Sequence, residues 1–166
     1  MSEGMDVETA QELQMALVRI LIVDDFDLWK SFVMARLRER PDLEIVGFAS
    51  DGLQAVQKAE ELQPDIILLD MMLPKLNGIQ AAQQIRRVAP LSKILFVSSE
   101  SDSGSVQSAF QAGGSGYISK LEAAEGLLDG IASVLRGERF VSPGLADSGN
   151  VTDTQVPGSE DESTAT

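Results

Sequence analysis

The chain contains no cysteine and no histidine among its 166 residues. Without cysteine there is no disulfide and no thiolate to act as nucleophile or metal ligand. Without histidine, the commonest general base near neutral pH and the commonest zinc ligand are gone as well. Any chemistry must therefore rest on carboxylates, hydroxyls, lysine or arginine. No apolar stretch approaches the roughly 20 residues of a membrane-spanning helix. The N-terminus is acidic where a secretory signal would be basic, so a cytoplasmic protein is expected.

Basic residues are missing from both ends. Residues 1–17 hold four acids (Glu3, Asp6, Glu8, Glu12) and no Lys or Arg. Residues 141–166 hold five acids (Asp147, Asp153, Glu160, Asp161, Glu162) and again no base. Of the net charge of −13, the stretch from Val18 to Phe140 carries −4, with 17 acids against 13 bases. Such a chain has no electrostatic footprint for nucleic acid and should repel an anionic membrane. Hydrophobic residues make up 43% and charged residues 23%, the balance of an ordinary globular domain.

The most informative stretch is Asp65-Ile66-Ile67-Leu68-Leu69-Asp70-Met71-Met72-Leu73-Pro74. Its apolar run reads as a strand buried on both faces. An acid inside such a strand would be very costly, but Asp70 at its carboxyl end can face a solvent crevice. Val18–Val23 is a similar strand ending in Asp24-Asp25, followed by a helix stripe of Trp29, Phe32, Val33 and Leu37 in which Trp29 is most simply core. Leu43–Ala49 reads as an edge strand, and a helix carrying Ala55, Val56, Ala59 and Leu62 runs from Asp51-Gly52 to Pro64. After the Asp70 strand, Gly78 opens a helix with Ile79, Ala82 and Ile85. Ile94–Val97 forms a fourth strand running into Ser98. A weak helix around Val106, Ala109 and Phe110 leads to a short fifth strand, Gly116-Tyr117-Ile118, which ends near Lys120. A final helix carries Leu127, Leu128, Ile131, Val134 and Leu135 and stops at Gly137.

Five strand–helix units in strict alternation predict an α/β protein with a doubly wound parallel sheet covered by helices on both faces. Three regions are expected. Residues 1–17 form an extension with a short amphipathic helix capped by Asp6, residues 18–140 the folded domain, and residues 141–166 an acidic disordered tail.

In a parallel sheet all strands end on one edge, so Asp24, Asp25, Asp70, Ser98 and Lys120 converge there. Two like charges about 4 Å apart cost roughly 4 kcal/mol at an effective dielectric near 20, against a domain stability of about 5–15 kcal/mol. One lysine offsets part of this, and a cation or a proton must offset the rest. An open, all-oxygen site suits Mg²⁺, and zinc is disfavoured for want of soft or imidazole ligands. With an aspartate as nucleophile, the cluster points to metal-assisted phosphoryl chemistry in which Lys120 and Ser98 meet phosphoryl oxygens.

Asp24-Asp25, then Asp70 with Pro74 and Asn77-Gly78, then Ser98, then Gly116-Tyr117-Ile118-Ser119-Lys120 together resemble the receiver domain of two-component response regulators. The resemblance covers about Arg19 to Phe140 and implies a flavodoxin-like sheet of five strands in the order 2-1-3-4-5. It implies that Asp70 accepts a phosphoryl group from a phosphohistidine on a sensor histidine kinase or phosphotransfer protein, with at most slow turnover of the aspartyl phosphate. It also implies that Asp25 with Asp24, Asp70 and the Met72 backbone carbonyl hold Mg²⁺, and that Lys120 contacts the phosphoryl group. Ser98 and Tyr117 fit the family's switch positions. They would report to the face made by the fourth helix, fifth strand and fifth helix, where a downstream protein or a second copy would bind.

Two features depart from the pattern. Many receivers carry proline after the lysine, and here it is Leu121. Gly137-Glu138-Arg139-Phe140-Val141-Ser142-Pro143 resembles the exit of receivers that carry a LuxR-type helix-turn-helix, but the sequence continues only as the acidic tail, so direct DNA binding is not expected. Two other readings exist. A degenerate receiver would act as an interaction module without phosphate. A phosphatase- or dehalogenase-type enzyme would use Asp25-Phe26-Asp27 after the first strand, but Trp29 stands where Thr or Val is usual, and Asp70 would have no role. A dinucleotide-binding domain is disfavoured, because no glycine-rich loop follows the first strand.

Overall fold

A computed structural model describes residues 17–100 and 102–145 of the chain. The expected N-terminal helix and the tail beyond Leu145 lie outside the described residues. Strands β1 (Val18–Val23), β2 (Leu43–Ala49), β3 (Ile66–Leu69), β4 (Lys93–Ser98) and β5 (Gly116–Ser119) alternate with helices α1 (Asp27–Leu37), α2 (Gly52–Leu62), α3 (Gly78–Val88), α4 (Ser103–Gln111) and α5 (Ala123–Leu135). A short 3₁₀ turn, Lys120–Glu122, precedes α5, and a two-residue strand, β6 (Phe140–Val141), follows it. The sheet order is β2-β1-β3-β4-β5-β6, with every pairing parallel. The expected five-strand order is therefore present, and β6 adds a sixth strand at the β5 edge.

Strand alternation sorts the core into two layers. Leu21, Val23, Ile67, Leu69, Ile94, Phe96 and Tyr117 face α2, α3 and α4, packing on Ala55, Ala59, Ala81, Ala82, Ile85, Val106 and Ala109. Ile20, Ile22, Ile66, Leu68, Leu95, Val97 and Ile118 face α1 and α5, packing on Val33, Leu37, Leu127, Ile131 and Val134. All four residues of β3 are buried, as a central strand covered on both sides requires. β2 is only partly buried, consistent with its place at the edge.

The chain stays packed past Phe140. Ser142 is buried, its amide donates to the Tyr117 carbonyl at 3.0 Å, and its Oγ accepts from the Ser119 amide at 2.9 Å. Leu145 is buried in the same layer as Tyr117. The boundary expected at Phe140 thus falls inside β6, and the folded packing continues to Leu145.

The loop from Asp70 to Asn77 is held by close backbone contacts. The Gly78 amide donates to the Met71 carbonyl at 2.8 Å, and the Gly52 amide donates to the Pro74 carbonyl at 3.2 Å. Asn77 caps α3 in a reciprocal box with Gln80, satisfying the first free amides of the helix. At Gly78 a Cβ would lie 2.3 Å from the Asp70 carbonyl oxygen, so only glycine fits. Gly78→Ala should destabilise the protein by about 3 kcal/mol, the upper end for overpacking. Gly126, inside α5, has open space where a Cβ would stand. Gly126→Ala should therefore stabilise by about 0.5–1 kcal/mol, and urea denaturation of both variants checks the opposite signs.

Candidate functional site

Register brings the acids together. Val23 pairs with Leu69, and the Asp70 amide continues the ladder by donating to the Val23 carbonyl at 3.1 Å. Asp24 and Asp70 therefore leave adjacent strands side by side. Asp24, Asp25 and Asp70 each offer a carboxylate oxygen within 4.8 Å of the others. Asp24 is 1% and Asp70 5% exposed, whereas Asp25 faces solvent. Ser98 pairs with Ser119, so Lys120 follows directly from the end of β5 into the same crevice. Its Nζ donates to Asp24 Oδ2 at 2.7 Å and lies 3.8 Å from Asp70 Oδ2.

Leu121 does not displace this lysine. Ser119 Oγ accepts from the Leu121 amide at 3.2 Å, capping the 3₁₀ turn, and Leu121 itself projects into solvent. Met72 is also exposed and lies two residues past Asp70, where its backbone amide favours the ionised Asp70 carboxylate. Asp27, the second acid of the alternative Asp-x-Asp reading, is 98% exposed and pairs with Lys30 at 3.6 Å. It is not among the three clustered acids.

Ser98 and Tyr117 are joined through one residue. The Glu100 amide donates to Ser98 Oγ at 3.0 Å, and the Tyr117 hydroxyl donates to the Glu100 carbonyl at 2.7 Å. The tyrosine ring is fully buried and stacks near Phe96. Burial pushes its phenol up to about 12, so the hydroxyl stays a donor at any physiological pH.

Trp29 packs against the core as its stripe position predicts, and it also has a contact that periodicity does not reveal. It is half-buried, at the first turn of α1, with Lys120 Nζ 5.0 Å above its ring centroid. It therefore lines the site as well as the core edge. The available signal was its position four residues after Asp25, which puts it at the mouth of the crevice once a helix starts there.

Burial, and then the neighbouring Asp24 carboxylate, push Asp70 up from 3.8 to about 6, with Lys120 opposing them. A cluster of oxygen donors with repulsion left over fits a small hard cation such as Mg²⁺. The raised value fixes a sign. The folded protein binds the Asp70 proton more tightly than the unfolded chain, so raising the pH from about 4 to about 6 costs the fold roughly 3 kcal/mol. The loss is complete once the pH passes the folded value. With divalent ions chelated, urea denaturation across this range should show wild-type losing about that much relative to Asp70→Asn. A constant difference between the two would refute the assignment.

The protein is thus a doubly wound parallel sheet with three acids and a lysine at its carboxyl edge. Residues 20–132 match the family model described as the response regulator receiver domain, and the chain belongs to that family. A curated relative, the response regulator protein VraR of Staphylococcus aureus, is 32% identical over 126 residues, which are 76% of this chain and 60% of VraR. The chain thus spans about three-fifths of the length of the curated relatives it matches. Among solved structures, a two-component response regulator of the LuxR family from Aurantimonas sp. SI85-9A1 superposes with a TM-score of 0.78 at 31% identity. The match covers 84% of this chain and 99% of that one. The response regulator domain of Thermotoga maritima CheB gives 0.68 at 34% identity, covering 72% and 97%. Among the described residues, no helix is long and apolar enough to cross a membrane.

Proposed function

We propose that this chain is a response regulator whose Asp70 is the phosphoacceptor of a histidine-to-aspartate relay in the cytoplasm. The observation that carries the reading is the convergence of Asp24, Asp25 and Asp70 within 4.8 Å, with Lys120 at 3.8 Å from Asp70 Oδ2. A carboxylate oxygen of Asp70 attacks the phosphorus of a phosphohistidine on the partner, the P–N bond breaks, and the imidazole leaves with the electron pair and takes up a proton. The absence of histidine from this chain agrees with a donor in trans. Asp24, Asp25, Asp70 and the Met72 carbonyl would hold Mg²⁺, which when bound offsets the negative charge of the transferred group. Lys120 supplies a second positive charge, and the Ser98 hydroxyl a hydrogen bond, to the oxygens of that group.

The product is an acyl phosphate on the protein, so the chain is a substrate of the relay and not a multiple-turnover catalyst; water releases the phosphate slowly. Output passes by contact. A phosphoryl group on Asp70 that draws the Ser98 hydroxyl toward it would carry Oγ away from the Glu100 amide and, through Glu100, disturb the Tyr117 bond. The surface formed by α4, β5 and α5 then changes for a downstream protein or a second copy. No electrostatic feature of residues 18–140 favours direct DNA contact. The Asp25-x-Asp27 reading loses support, because Asp27 pairs with Lys30 away from the acids.

With Mg²⁺ and acetyl phosphate, the wild-type protein should acquire one hydroxylamine-sensitive phosphoryl group. Asp70→Asn should acquire none, and Asp25→Asn should need at least tenfold more Mg²⁺, on the order of the loss of one ligand contact. Intact mass measurement and labelling kinetics read both effects. Equal labelling of Asp70→Asn would sink the assignment.

A further inference from the structure

Lys120 ends a flexible four-carbon stem, and its compact ammonium has three donors with no fixed direction. Its hydrogen bond to Asp24 at 2.7 Å keeps it near Asp70 but commits it to an acceptor that it must leave to meet a phosphoryl oxygen. The Trp29 ring lies against the ammonium at 5.0 Å from the centroid, within the reach of cation–π attraction. The ring is held in turn. Phe32, one turn further along α1, packs on it at 5.0 Å and 31°, and both lean on the layer that includes Val33, Ile22 and Ile118. The lysine side chain is only 18% exposed, so the attraction acts in a largely desolvated place.

We propose that Trp29 is a positioning residue for phosphoryl uptake. Its indole face keeps the Lys120 ammonium beside Asp70 while leaving it free to exchange Asp24 for an incoming phosphoryl oxygen. The role rests on the phosphoacceptor reading above. A hydrogen bond to a fixed acceptor would hold the ammonium in one place and oppose that exchange. Attraction to a ring face prescribes no single acceptor direction and acts anywhere within about 6 Å of the centroid, so the ammonium can shift partners and keep its support. A leucine there would keep an apolar contact but offer no negative face, and the freed stem would let the ammonium swing out to water.

The test uses the full chain and three substitutions, Trp29→Leu, Trp29→Phe and Lys120→Met. Uptake from acetyl phosphate at saturating Mg²⁺ should slow about tenfold in Trp29→Leu and recover to within about threefold of wild type in Trp29→Phe, which keeps a ring face. Mg²⁺ affinity by calorimetry should stay within about twofold in both. Trp29 is the only tryptophan, so its emission reports the contact without any phosphate. Lys120→Met should shift that emission. Equal slowing in the Leu and Phe variants would make the ring a packing element and overturn the role, as would an unchanged emission in Lys120→Met. If wild type labels normally and Trp29→Leu labels as fast, only the positioning role fails. If wild type takes up no phosphate at all, the phosphoacceptor reading fails and this role fails with it.

Discussion

Two carboxylates held side by side at the ends of adjacent buried strands set the terms for everything around them. Asp24 and Asp70 cannot separate, because the ladder that places them continues through the Asp70 amide to the Val23 carbonyl. Behind them Val23, Leu69 and Phe96 are almost wholly buried, and the hydrophobic burial of that core keeps the strands in register. The repulsion is thus sustained by packing elsewhere. One ammonium, bonded to Asp24 and near Asp70, offsets part of it. The remainder appears as the raised affinity of Asp70 for a proton, and as an arrangement of oxygens suited to a divalent cation.

The loops that carry these groups are fixed by contacts that leave little freedom. The Asp70 loop passes so close to Gly78 that no side chain fits there. It also turns through Lys75 with a φ of 72°, a left-handed conformation that costs a non-glycine residue about 1–2 kcal/mol. The lysine side chain reaches toward Asp51 at 3.6 Å, and the Pro74 carbonyl accepts from both Gly52 and Leu76. Strain of this kind persists where the surroundings over-determine the backbone, and it tends to gather at functional loops.

On the other side of the crevice, the Glu100 backbone ties Ser98 to Tyr117, and Ser142 ties β5 to the segment after β6. A change at the end of β4 therefore has a short path of hydrogen bonds to the α4–β5 surface. That surface is partly covered by the chain itself, since Arg139 lies 4.0 Å from the Phe110 ring centroid and Leu145 joins the buried cluster that includes Val106, Ala109 and Tyr117. The Ser142 hydroxyl accepts from the amide of the residue preceding Lys120, so the covering segment and the crevice share one loop.

The strands were legible in the sequence, because a strand covered on both faces must be a run of large apolar residues and each helix must show one apolar stripe; their order in the sheet followed only from the resemblance to receiver domains. The identity of the acids was legible for the same reason: Asp24 and Asp70 are charges that end such runs, where burial would otherwise forbid them. β6 was not legible, since two residues carry no period and only the free edge of β5 makes Phe140–Val141 a strand. The contact of Trp29 with Lys120 was not legible, because a stripe position has the same spacing whether it meets aliphatic carbon alone or an ammonium ion as well. The tryptophan's distance from Lys120, 91 positions along the chain, is closed only by the fold. The sequence alone thus determined which groups sit at strand ends, through the cost of burying charge. Which of them touch, and that Lys120 bonds Asp24 more closely than Asp70, was decided by tertiary register, because ångström distances between strand ends depend on how every strand between them is paired.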